Sequence, residues 1–388
     1  MERIFLEQGN LVVKDRDAIQ LLKEKYYGEL KNGKLFLKPE EALYLMEIRN
    51  WRFFSGKEEL SFSQLSSLFL GSNRKLFVRY NTFRDWRDRG LFIRDFKDGK
   101  YGEIKRVVYP SRSTQYPKID ITLKFFPFDL ISIVDEGKRF FHLFKDFWLG
   151  QLGVYKNYQK GKLLKFDIFE TVFLLRNCGA RVVNLENGEE LNEEKIFKLS
   201  KSEDVFKALY EVYEDWRLRG FVLKTGYKFG AHFRIYFPGV SPIKKGKKWI
   251  HSKHVLHVFP KFERMLVSEW SRVVRVAHSV RKTFVFGIPG MKEEDFEDVK
   301  LDFLGWHREK GRVLTPKENP NYVILALGED EFLGGAELAS ALRRAEEVGL
   351  DLLLAINGRE SDVTYYMVKQ IELPGSKYQY YEMRWIQP

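Results

Sequence analysis

A phenol at Tyr236, an imidazole at His251 and an ammonium at Lys282 fall within one stretch, residues 220–282, and no carboxylate stands between Tyr236 and Phe262. Phenol and imidazole can each give or take a proton, and an ammonium can neutralise negative charge, so the set suits proton transfer around an anion without a metal. His251, His254 and His257 are spaced three apart. Successive strand side chains point to opposite faces, which turns His254 away from the other two and argues against a shared metal site.

The elements that position these groups are read from pattern. Tyr236 ends an alternating, strand-like run, His251 heads the next, and Lys282 is expected at the end of a helix after RVAHSVRK. Upstream, IFLEQ and NLVVKD read as a strand pair. Helices are expected over about 16–27 (closed by Gly28), 38–51, 62–70 and 75–89, the last capped by Gly90 before the strand LFIRDF. His278, near Arg275 and Lys282 by helical spacing, is expected to be structural.

Composition bounds the partners. The 388 residues carry a net charge of +12, with 44% hydrophobic and 15% aromatic residues, which excludes a disordered chain and points to a polyanion. Nucleic acid is the first reading and an anionic membrane surface the second. The longest apolar runs, such as LDLLLAI at 350–356, fall well short of the roughly 20 residues that span a bilayer. Cys178 is the only cysteine, so no intrachain disulfide or cysteine-based zinc site can form. The N-terminus lacks the basic-then-apolar order of a signal peptide, and a cytoplasmic location is expected.

The chain repeats itself. FRDWRDRGLFIR at 83–94 matches YEDWRLRGFVLK at 213–224, pairing Trp86 with Trp216 and Gly90 with Gly220, and FDIFETVFLLRN at 166–177 resembles the helix EEALYLMEIRN. A slide of 68 residues sets Val255 on Val323 and Arg275 on Arg343, with His251 falling on Asn319 and Lys282 on Leu350. Aligning Phe126 with Phe259 sets Lys118 where His251 stands. The expected class is mixed α/β: tandem repeats of a helical N-terminal subdomain and a mixed-sheet, nuclease-like C-terminal subdomain, with Tyr, His and Lys together only in the middle unit.

Residues 219–286 resemble the archaeal tRNA-splicing endonuclease family. The family pattern RGYxVKTGxKFGADFRxY, HSxxLV and a helix ending RVAHSVRK stands here as RGFVLKTGYKFGAHFRIY, HSKHVLHVF and RVAHSVRK. The repeat order resembles the family's three-unit, single-chain form: an inactive unit over 1–115, a catalytic unit over 116–306 and a C-terminal structural half-unit over 307–388. The resemblance implies a homodimer that cuts precursor tRNA at a bulge–helix–bulge, needs no cofactor or metal, and leaves 2′,3′-cyclic phosphate and 5′-hydroxyl ends. It makes Tyr236 the general base, His251 the general acid and Lys282 the transition-state stabiliser.

It further implies a base clamp from Arg275 with Trp306, and an acidic dimer-interface loop at 357–362 carrying Glu360 and Asp362. Two departures bear on the site. His232 replaces the family's acid, and the long connection from Tyr236 to His251 carries Lys244, Lys245, Lys247 and Lys248, expected to contact RNA. The rival readings are a catalytically silent RNA-binding scaffold and a metal-dependent DNA nuclease. The latter lacks an acidic cluster near the basic segment.

Overall fold

A computed structural model describes residues 3–243 and 250–388; the four lysines at 244, 245, 247 and 248 lie outside the described residues. The N-terminal strands Arg3–Glu7 and Asn10–Val13 pair antiparallel, and the helices Arg16–Glu24, Pro39–Glu47 and Phe62–Leu70 lead to α1 (Leu76–Asp88). A second set follows the same plan: the antiparallel strands Thr122–Phe126 and Ile131–Val134, the helix Ile168–Phe173 and α2 (Glu203–Leu218). Each set carries its own sheet, so these subdomains are mixed rather than purely helical.

The two sets share a polar clasp. The Glu41 carboxylate accepts from the backbone N–H of Lys38 (2.9 Å) and Gly28 (3.0 Å), and Glu170 accepts from Asp167 (3.2 Å) and Gly150 (2.9 Å). In each case one carboxylate satisfies an orphan donor at its own helix start and a second from a distant turn. Arg94 then bonds the Gly28 carbonyl (2.7 Å), and Lys224, its counterpart in the repeat, bonds that of Gly150 (3.1 Å).

Both sets feed one eleven-stranded sheet. Its path comprises β1 (Phe92–Asp95), β2 (Val222–Thr225), β3 (Phe233–Tyr236), β4 (His254–Val258), β5 (Thr283–Gly287), β6 (Phe303–Trp306), β7 (Tyr322–Gly328), β8 (Asp351–Asn357), β9 (Val363–Glu372) and β10 (Tyr380–Ile386). The spatial order is β2-β3-β4-β5-β10-β9-β8-β7-β6-β1, with the short strand Val107–Val108 alongside β9. α3 (Val267–Ser279) connects β4 to β5 and α4 (Gly335–Val348) connects β7 to β8, both crossovers joining parallel strands.

The two halves of this sheet repeat in register. His254 pairs with Thr283 and Tyr322 with Asp351, each 68 residues further on. Val222 pairs with Tyr236, and Phe92 with Trp306. The C-terminal half is therefore completed by β1 from the first segment, and Trp306 occupies the place that Tyr236 holds in the other half.

This pairing corrects three sequence expectations. β6 hydrogen-bonds to β1 and β7, so the boundary expected at residue 306 falls one strand too late. Residues 1–115 and 307–388 are not separate bodies, because Trp86, Phe303, Ile324, Leu353 and Tyr365 share one core. Phe126 ends a strand of a separate five-stranded sheet, so its alignment with Phe259 pairs unlike elements.

Candidate active site

Parallel pairing of β4 with β5 brings residues thirty apart into contact, because the segments entering both strands lie side by side. Thr283 N–H donates to the Lys253 carbonyl (2.9 Å), and Lys282 Nζ bonds both the Ser252 carbonyl and, at 3.0 Å, its hydroxyl. Lys282 is not on the helix as expected. α3 ends at Ser279, Arg281 takes a left-handed φ of 56°, and Lys282 sits in the turn into β5. Its ammonium also stands 4.7 Å from the centre of the Phe229 ring.

Tyr236 ends β3, 6% exposed, with its ring 4.6 Å from that of Trp148. Arg234, two residues earlier on the same strand, donates to the Tyr236 hydroxyl oxygen (3.4 Å) while its Nε is anchored on the Thr225 carbonyl (2.9 Å). Tyr236 and His251 line one cavity of about 600 Å³, together with Trp148, Phe229, Arg234 and Lys228. His251 is exposed there, and Lys282 reaches the cavity's edge through Ser252 and Phe229. Tyr236 and His251 line that cavity, and Lys282 stands beside it, bonded to the residue after His251.

Burial pushes the Tyr236 phenol up from its ordinary value, while Arg234 and the Ser252 hydroxyl work in the opposite direction by favouring phenolate. Lys282 is pushed down, first by burial and then by repulsion from Arg234.

The other named residues fall elsewhere. Arg275 is exposed on α3; with the helix ending at Ser279, it does not share a helical face with Lys282. Trp306 is 5% exposed, its indole N–H donates to the Glu318 carbonyl (2.9 Å), and it lines a different cavity in the opposite half with Asn319. Glu360 and Asp362 are exposed in the turn between β8 and β9, and Arg359 beside them is tied to Asp330 (2.9 Å).

His232 does not face the cavity. Its Nδ1 accepts from Val258 N–H (3.0 Å), its ring stacks on His257 at 4.2 Å, and burial pushes its pKa down to about 4. It is neutral at physiological pH, so it leaves the site's own titration alone. His254 packs instead on Tyr109 and Phe237, which separates it from His257 as strand alternation requires. His278 receives the Trp385 N–H (3.3 Å). No group of three His, Cys, Asp or Glu side chains among the described residues could hold a metal ion.

Sequence reasoning missed Ser252, Arg234 and Trp148. Adjacency to His251 and the two-residue strand period before Tyr236 were the available signals for the first two. Trp148 lies in a turn at a left-handed φ of 46°, and nothing in its spacing announces it.

A phenol and an imidazole on one aromatic cavity of mixed charge, with an ammonium tied beside it, can together transfer protons. Comparison with known proteins narrows the class. Residues 3–66 match the tRNA intron endonuclease N-terminal domain, and residues 206–299 match the tRNA intron endonuclease catalytic C-terminal domain. The tRNA-splicing endonuclease of Pyrococcus abyssi is 36% identical over 146 residues, 37% of this chain and 79% of that protein. That of Thermococcus onnurineus is 36% identical over 129 residues, 33% of this chain and 69% of that protein. That of Methanococcoides burtonii is 26% identical over 355 residues, 74% of this chain and 97% of that protein. The chain belongs to the tRNA-splicing endonuclease family.

Proposed function

We infer that this chain is a tRNA-splicing endonuclease that cuts precursor tRNA at bulge–helix–bulge junctions, without a metal, leaving 2′,3′-cyclic phosphate and 5′-hydroxyl ends. The observation that carries the reading is the meeting of Tyr236 and His251 on one cavity with Lys282 tied to the residue after His251. Tyr236 takes the proton of the 2′-hydroxyl, whose oxygen attacks the adjacent phosphorus. His251 gives a proton to the departing 5′-oxygen. Lys282 and Arg234 neutralise the crowded phosphorane. Arg234 favours the phenolate that the base role requires.

Two chains act together in this reading. A homodimer sets two such sites at a fixed distance, so one complex measures the helix between two bulges by shape. Arg275, exposed on α3, stacks on a bulged base, and the acidic turn at 357–362 docks on the partner.

The test is cleavage of a bulge–helix–bulge RNA in EDTA by the full chain and by His251→Ala. Wild type is expected to cut in EDTA, and the variant to lose roughly 10²- to 10⁴-fold in rate while still binding RNA. Undiminished cutting by the variant, or dependence on added metal, would overturn the proposal.

A further inference from the structure

We propose that Ser252 is a positioning residue that fixes the Lys282 ammonium beside His251, next to the cavity that Tyr236 and His251 line. The inference rests on the function proposed above and adds a fourth member to its site.

Ser252 is 6% exposed and lies in the turn into β4, directly after His251. Its carbonyl and its hydroxyl both accept from Lys282 Nζ, the latter at 3.0 Å. A lysine side chain has several rotatable bonds, and two acceptors from one residue fix where its charge ends up. A hydroxyl that accepts from an ammonium still has its own proton to donate. Ser252 is the least of the influences on the Tyr236 phenol, on the side of phenolate. The hydrogen bond at the phenol is with Arg234, at 3.4 Å, so Ser252 fixes the ammonium while Arg234 faces the phenol.

The pseudo-symmetric half supplies an independent argument. The 68-residue register that sets Tyr322 against His254 places Pro320 at the position of Ser252, Asn319 at that of His251 and Leu350 at that of Lys282. Trp306 stands for Tyr236. Proline has no hydroxyl, and leucine makes no demand for one. The half that has lost phenol, imidazole and ammonium has lost the serine with them, while the strands, the crossover helix and the fold remain. A serine needed only to shape the turn into the strand would have no reason to be absent where that turn persists.

The groups acting on Tyr236 are Arg234 from its own strand, Tyr155 from the 153–163 connection and Ser252 from the turn into β4; those acting on Lys282 are Arg234 and its partner Ser252. His254, on the far face of β4, is held neutral by burial, with a pKa near 4. Replacing Ser252 therefore removes one influence from each partner and leaves the cationic one in place.

The experiment measures kcat, KM and the pH–rate profile of the full-length Ser252→Ala, Ser252→Cys and Ser252→Thr proteins on a bulge–helix–bulge RNA. Ser252→Ala is expected to lower kcat by roughly 10- to 100-fold, the scale of a lost hydrogen bond to a charged group, with KM unchanged. The ascending limb of its profile should move to higher pH, because one influence favouring phenolate is gone and the ammonium is no longer held in place. Ser252→Cys, which fills the same space with a weak donor, should behave like the alanine variant, and Ser252→Thr should restore rate and profile. Wild-type kcat and an unmoved limb in the alanine and cysteine variants would overturn the inference. His251→Ala and Lys282→Ala run in parallel separate the two claims. If they still cut, the proposed function falls; if they do not and Ser252→Ala matches wild type, only the role of Ser252 falls.

Discussion

The charge of Arg234 moves Tyr236 and Lys282 in the same direction, for opposite reasons. It attracts phenolate and so lowers the Tyr236 pKa; it repels ammonium and so lowers that of Lys282. Removing it should raise both. Arg234→Gln is therefore expected to shift the whole pH–rate profile toward alkaline pH, with the rate lower near neutrality and Arg234→Lys restoring most of the shift. A profile that loses height without moving would refute the electrostatic account. At this scale the sequence was a good guide to identity and a poor one to surroundings. Tyr236, His251 and Lys282 were legible because they sit in a motif. Ser252 stands in the same motif, directly after His251, but its partner was not legible, because Lys282 lies thirty residues away across a parallel strand pair. The motif puts His232 near Tyr236 in sequence, and its ring stacks on His257 of the next strand.

Elements whose ends are marked by capping chemistry were read closely. The helix Phe62–Leu70 matches its expected span because Ser61 and Gln64 cap each other's backbone N–H groups, a pattern visible in the sequence. Where the signal is periodicity alone, the helices ran short. The helix expected over 38–51 stops at Glu47, with Asn50 left-handed at φ 57°, and α3 stops before the RVAHSVRK pattern does. How elements from distant segments join was invisible, since no local pattern encodes it. Arg79 on α1 is the clearest case: 7% exposed, it pairs with Glu40, with Asp302 ahead of β6 (2.6 Å) and with Asp95 on β1 (2.9 Å), while its guanidinium lies 4.3 Å from the Phe303 ring centre. Burial of Asp302 disfavours its charge, and Arg79 is the main group opposing this. Arg79→Ala would leave Glu40 and Asp302 charged and unpaired in the core that joins the first and last segments. A loss of about 3–5 kcal/mol in unfolding free energy is expected, measurable by urea denaturation. A loss below 1 kcal/mol would show that the cluster does not hold the segments together.

At the scale of the molecule, the long sheet has two related halves with chemistry in one of them, so a single chain carries one site. Cutting both ends of an intron by the proposed geometry then requires a second chain, and the surface available for docking it includes the turn after β8. Arg359 in that turn is held by Asp330, which leaves Glu360 and Asp362 exposed as acidic groups on a chain of net charge +12. In the proposed homodimer such a turn docks on basic surface of the second copy, an attraction that weakens as salt rises. Replacing both residues with lysine turns attraction into repulsion without touching either core, because neither side chain is buried. The Glu360→Lys, Asp362→Lys protein should sediment with the mass of one chain where wild type sediments with that of two. Its thermal midpoint should be unchanged apart from the share that association contributes. It should bind precursor RNA more weakly and cut it at a small fraction of the wild-type rate, although Tyr236, His251, Ser252 and Lys282 are all in place. A double variant that still sediments as a pair and cuts at the wild-type rate would remove the turn from the interface, and with it the argument that this loop brings the two sites to their working distance.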